Sequence, residues 1–252
     1  MLKVAMSDIS SAARRFAPGW AMTAFVGFFL PILVLLGFWQ LDRAEEKQLL
    51  QARMDQSRSA VAVPLSTLQG VENVAWRPVQ MQGIFDPELI WLLDNRTRGG
   101  NAGLEVLQVF IDADSGTRLI VNRGWLPWPD RRQIPEVRTP RGTQRLDAEA
   151  LPPTEAGFTL GTTHVTPGWP KLITRVDVDA MREASGEILL PWVARLRTGS
   201  DAALTLDWPE LPMTSSKHTA YAVQWFALAL ALLALFIWAG LRPETPEKNK
   251  NA

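Results

Sequence analysis

The sequence predicts a membrane protein of α+β class, in which an N-terminal and a C-terminal transmembrane helix flank a strand-rich antiparallel sheet or partly open barrel. Three observations carry that expectation. Two stretches, Trp20 to Trp39 and Tyr221 to Leu241, contain no charged residue, although the chain of 252 residues holds 26 basic and 26 acidic side chains. Short runs between them alternate apolar and polar residues, as half-buried strands do. The mean hydropathy is close to zero only because the apolar residues are bunched at the two ends.

The first stretch has one clearly polar residue, Thr23, and the second has Gln224. About 20 residues rising about 1.5 Å each cross a hydrocarbon core of about 30 Å. One charge at a span centre costs about 2.5 to 3.5 kcal/mol on insertion scales, so two charge-free stretches of this length read as spans. Lys3, Arg14 and Arg15 precede the first. It is too long for the apolar region of a cleaved signal and no small-x-small site follows it, so an uncleaved anchor is expected. Those cations, with Arg242, Lys248 and Lys250 outnumbering Glu244 and Glu247 after the second span, place both termini in the cytoplasm by the positive-inside rule. The expected layout is a cytoplasmic N-terminus over 1–19, spans over 20–41 and 218–241, a periplasmic domain over 42–217 and a cytoplasmic tail over 242–252, in a cell inner membrane.

After the first span the helix continues from Leu41 to about Met54, with no Gly or Pro to interrupt it. Val61 to Pro64 reads as a linker. Arg77 to Gly83 alternates as a strand ending at Phe85-Asp86-Pro87, and Leu89 to Leu93 reads as its hairpin partner. Leu104 to Ile111 is a further strand, closed by the turn Asp114-Ser115-Gly116 and returned by Arg118 to Asn122. Four prolines between Pro127 and Pro140 mark an exposed loop. Thr143 to Ala150 and Phe158 to Leu160 are candidate strands. Val178 to Ser185 is a short helix capped by Asp177 and stopped at Gly186, and Ile188 to Leu196 is the last strand, with Pro191 as a bend.

No cysteine occurs, which excludes disulfides, thiolate metal sites and covalent c-type haem attachment. A formal net charge of zero carries no nucleic-acid signal.

Four groups of residues resemble the signatures of the surfeit-locus-one family of cytochrome c oxidase assembly proteins. They are Gly37-x-Trp39-Gln40-x-x-Arg43 with Lys47; Arg77-Pro78-Val79 running to Gly83-x-Phe85-Asp86; Asn122-Arg123-Gly124-Trp125-x-Pro127; and His218-x-x-Tyr221-Ala222-x-x-Trp225-Phe226. They stand in the family's order and are bracketed by the expected spans. The resemblance implies a non-enzymatic assembly factor for haem-copper oxidase that binds haem a and presents it to the catalytic subunit, with haem A synthase as a further partner. A cofactor-free scaffold for oxidase intermediates is the alternative.

The chain has two histidines, so a haem iron has few candidate ligands. His218, Tyr221, Ala222 and Trp225 fall at i, i+3, i+4 and i+7 and share one helix face. That arrangement offers an imidazole, two aromatic walls and a small residue leaving room for a macrocycle, with Lys217 beside it for a propionate. The other reading is an ordinary membrane interface, where Tyr and Trp are enriched. Arg43 and Lys47, with Gln40, are either a second propionate clamp or a solvated helix surface. His164 lies in a turn-rich loop and reads as structural. Ser215 and Ser216 beside His218 lack the context of a hydrolase. Gly83, Gly124 and Pro127 are expected to serve turns or close backbone approach, and Ala227, Ala231 and Ala234 form a small-residue stripe for packing on the first helix near Gly27 or on a partner. Pro31 is a candidate kink in the first helix.

Overall fold

A computed structural model describes residues 14–71, 73–151, 168–208 and 213–243, and of residues 14, 15, 242 and 243 the backbone alone. The chain divides into two compact units, one of residues 1–50 with 211–252 and one of residues 51–210.

The helix unit contains β1 (Arg14–Phe16), most of α1 (Trp20–Arg58), α3 (Ser215–Gly240) and β9 (Leu241–Pro243). Both long helices are apolar enough to cross a membrane, with mean hydropathy 2.3 and 2.2 over their most apolar windows. The protein is accordingly a membrane protein. Exposed aromatic residues mark both ends of the spans: Trp20 and Trp238 at one, Trp39 and Tyr221 at the other. Such residues favour the boundary between hydrocarbon and water.

The two helices run antiparallel. Val26, Gly37, Gln40 and Ala44 are the buried stripe of α1, and His218, Ala222, Ala229 and Gly240 that of α3. Small residues recur in both stripes, Gly37 and Ala44 on α1 and Ala222, Ala229 and Gly240 on α3, because two apolar helices in lipid gain by bringing their backbones close. At Gly37 an added Cβ would lie 2.5 Å from Phe226 Cε1, so the ring of Phe226 occupies the space the missing side chain leaves. Beyond the far end of the pair β1 and β9 pair antiparallel, with Ala17 N–H donating to Gly240 O at 2.9 Å and Phe16 set edge-on to Phe236 at 5.5 Å. Ala227, Ala231 and Ala234 are exposed, and nothing approaches the position of a Cβ on Gly27. The expected packing of that stripe on the first helix is therefore corrected: at 100° per residue it lies roughly opposite Ala222 and Ala229 on α3.

The sheet unit contains the last two turns of α1, β2 (Val63–Pro64), β3 (Pro78–Arg98), β4 (Asn101–Asp112), β5 (Arg118–Pro127), β6 (Gln144–Leu151), β7 (Lys171–Ile173), α2 (Val178–Ser185) and β8 (Leu189–Leu196). The order β3-β4-β5-β8-β6 closes on itself because β6 pairs with the first part of β3, giving a five-stranded barrel. The sheet is mixed: β5 runs parallel to β8, and β2 and β7 parallel to β3.

Barrel closure makes alternate side chains face different cores. Leu119 and Val121 join Val79, Phe110 and Trp192 in one, whereas Ile120 joins Trp91, Val193 and Met181 of α2 in another. The Asp177 carboxylate caps α2 by accepting from Ala180 N–H at 3.1 Å, and Gly186 ends it with φ of 71°. Two local expectations are corrected. Val63–Pro64 is a strand rather than a linker. Leu89 to Leu93 continues β3 instead of returning as a hairpin, because the Asp86 carboxylate accepts from the N–H groups of Glu88 and Leu89 and absorbs the irregularity as a bulge. The true turn lies at Gly99 and Gly100, both with positive φ. Phe158 to Leu160 lies outside the described residues.

Candidate functional site

His218 starts in the first turn of α3, where its N–H reaches back to Thr214 O at 3.4 Å. Its side chain is buried, and Nδ1 lies 2.7 Å from Oε1 of Gln40 on α1. Nε2 makes no hydrogen bond among the described residues. Burying the two polar groups against each other at the edge of the spans satisfies both where the helix seam shuts out water. Phe226, two turns along α3, sits on Gly37 and edge-on to Phe38 at 5.3 Å. Ala222 is fully buried, so it belongs to the helix seam, and a planar ligand at His218 would have to lie on the flank that carries Tyr221 and Trp225.

The other candidate residues lie around this pair rather than in it. Tyr221 is exposed and Trp225 half-buried on the flank of α3, and Lys217 is exposed. Arg43 donates to Glu46 at 2.6 Å and lies over the ring of Trp39 at 5.9 Å, which are contacts within one helix. Lys47 is half-buried on the Gln40 side of α1. Thr214 and Ser216 bond each other through their hydroxyls at 2.9 Å, and among the described residues no serine hydroxyl hydrogen-bonds to His218. His164 lies outside the described residues.

The residues Asn122 to Trp125 fold into a different kind of centre in the sheet unit. Asn122 Nδ2 donates to Glu105 at 2.8 Å while its Oδ1 accepts from Gly124 N–H at 3.1 Å. Arg98 also donates to Glu105, at 2.6 Å. Gly124 has φ of 118°, and a Cβ there would lie 2.7 Å from Thr205 O. Trp125 donates its indole N–H to Arg96 O at 2.7 Å. Arg123 is buried without a carboxylate partner among the described residues: it donates to Ala202 O, Arg138 O and Gln108 Oε1, and lies over Phe85 at 5.2 Å. Loss of water pushes its pKa down to about 10. These contacts tie the proline-rich loop and the segment around residue 202 to the barrel.

A third cluster joins α1 to the barrel within the sheet unit. Glu149 accepts from Arg58, the last residue of α1, at 3.1 Å and from Arg195. The Arg195 guanidinium lies over both Trp76 and Trp208. Burial pushes the Arg195 pKa below its usual value, and Glu149 pulls it back. A cleft of about 470 Å³ opens beside Arg58, Arg197 and Trp208. Its carboxylates already have partners in Arg58, Arg195 and Gln80. Among the described residues no cluster of three metal-ligating side chains occurs.

Two apolar helices joined by a buried His–Gln pair, with a closed mixed barrel between them in sequence, define a membrane protein with two candidate spans and a folded strand-rich domain. The chain belongs to the SURF1 family, whose model matches residues 27–230. It is 25% identical to a SURF1-like protein of Rickettsia bellii over 85% of this chain and 88% of the relative. A SURF1-like protein of Monosiga brevicollis is 23% identical over 96% of this chain and 98% of its own length. Human Surfeit locus protein 1 is 28% identical over 52% of this chain and 49% of its own.

Sequence reasoning selected His218 but missed its partner. Gln40 stands in the same signature as Arg43, and the sequence groups it with Arg43 and Lys47, as a propionate clamp or a solvated helix surface, rather than with His218. Its signal was a lone neutral amide at the end of a span, facing nothing in the linear sequence.

Proposed function

We propose that this chain is an assembly factor for haem-copper cytochrome c oxidase, binding haem a through His218 Nε2 and assisting its delivery to the catalytic subunit. Membership of the family supports the assembly role, and the matched region includes His218 and the greater part of each membrane helix. One observation carries the haem part: a buried imidazole with Nδ1 held by an acceptor and Nε2 unengaged, which is how metal-ligating histidines are prepared. Bound haem a would supply an iron centre with an open bond for this nitrogen. Tyr221 and Trp225 offer aromatic surface on the outer flank of α3, while Lys217, and Arg43 if it leaves Glu46, offer cations for propionates. The role asks for no catalytic step, only binding, orientation and release.

In this reading the chain sits in the cell inner membrane with its positively flanked ends on the cytoplasmic side and the sheet unit in the periplasm, and receives haem from haem A synthase. The test is to purify the protein from cells that make haem A, extract and identify any haem, and repeat with His218→Ala. Haem a in the parent and its loss in the variant are the expected results. A parent free of haem a where synthesis is verified removes the carrier role and leaves a cofactor-free scaffold.

A further inference from the structure

We infer that Gln40 is a positioning residue for His218, holding its imidazole as the tautomer protonated on Nδ1 with the lone pair on Nε2. The inference deepens the haem-carrier reading and rests on it for the identity of the metal. The tautomer itself does not depend on that reading.

Gln40 Oε1 stands 2.7 Å from Nδ1. A carbonyl oxygen has no proton to give, so Nδ1 is the donor and a neutral ring is left with Nε2 alone for coordination. Both side chains are buried, which removes water as a competing partner for Nδ1. The contact is maintained by the helix seam: one turn along α1, Gly37 lets the Phe226 ring against the backbone, and Ala222 is fully buried one turn along α3. Ligand orientation is thus set by how the two helices pair.

The identity of the acceptor has its own consequence. A carboxylate on the second nitrogen makes an imidazole a more basic, tighter ligand, whereas a neutral amide orients the ring with a smaller electronic push. No carboxylate bonds to His218 among the described residues. Asp42, Glu45 and Glu46, the acids that follow Gln40 on α1, are exposed, and Glu46 is paired with Arg43. An amide-backed histidine suits a carrier, which must hold its cargo in one orientation and still release it.

Two measurements on the full chain in detergent test this. Nitrogen NMR of the haem-free, histidine-labelled parent is expected to show the Nδ1–H tautomer for His218, and an Nε2–H tautomer overturns the inference. Haem a is then titrated into the parent, Gln40→Leu and Gln40→Glu, reading the dissociation constant, the iron–histidine stretching frequency and the midpoint potential. Gln40→Leu is expected to weaken binding about 10- to 100-fold, the usual cost of removing such a partner. Gln40→Glu keeps an acceptor and is expected to tighten binding, raise the stretching frequency and lower the potential. A merely structural contact leaves frequency and potential unmoved in both variants, which overturns the inference. If the parent takes up no haem a, the carrier reading fails and the tautomer alone decides the role of Gln40.

Discussion

The helix unit and the sheet unit bury polar groups on different terms. The helix unit has two buried polar side chains among the described residues, Gln40 and His218, and they bond each other. The sheet unit buries Glu105, Gln108, Asn122, Arg123 and Glu149 in networks that cross several strands. In lipid the helices have no hydrophobic drive to associate, so close packing of small residues and an occasional polar pair define the interface. In the barrel, hydrophobic burial supplies the drive, and charged networks fix which loop docks where. A polar residue in the helix unit is therefore available for function at little cost in stability, whereas one in the sheet unit is committed to the fold.

Substitutions that isolate each network test that contrast. Glu149→Ala leaves Arg58 and Arg195 without their carboxylate, the Arg195 guanidinium lying over the rings of Trp76 and Trp208. It is expected to destabilise the sheet unit by about 3 to 5 kcal/mol, seen as a lower denaturation midpoint by tryptophan fluorescence. Arg123→Met fills similar volume but strands the acceptors on Gln108, Ala202 and Arg138. A loss of about 2 kcal/mol in the same assay is expected, with faster hydrogen exchange in the loop around Arg138. Asp177→Ala removes the cap of α2 and should cost about 1 kcal/mol. Gln40→Leu should change the stability of the helix pair by less than about 1 kcal/mol, while its effect on haem a binding is the largest of the four. A larger stability loss for Gln40→Leu than for Asp177→Ala would break the comparison.

Local signals made much of the fold legible. The spans, the helix continuing past the first one, the capped α2 and the strands expected at Leu104 to Ile111 and Ile188 to Leu196 follow from charge absence, periodicity, an N-cap and a glycine stop. The continuation of β3 past Asp86-Pro87 did not. A bulge and a hairpin turn have similar sequences, and only a long enough partner strand, β4, distinguishes them. The site was half legible, since His218 stood out by rarity and position while Gln40 lies 178 residues away along the chain.

The sequence by itself determined that this chain has two membrane helices, that a strand-rich domain lies between them, and that a single histidine stands at the edge of the second. Those properties are written in composition and short-range spacing. Folding adds what no local pattern carries: closure of the sheet as a mixed barrel, Arg123 and Glu149 as structural centres, and the hold of Gln40 on His218. Each depends on which distant residues meet, and in lipid as in the barrel a buried polar group takes its meaning from its partner.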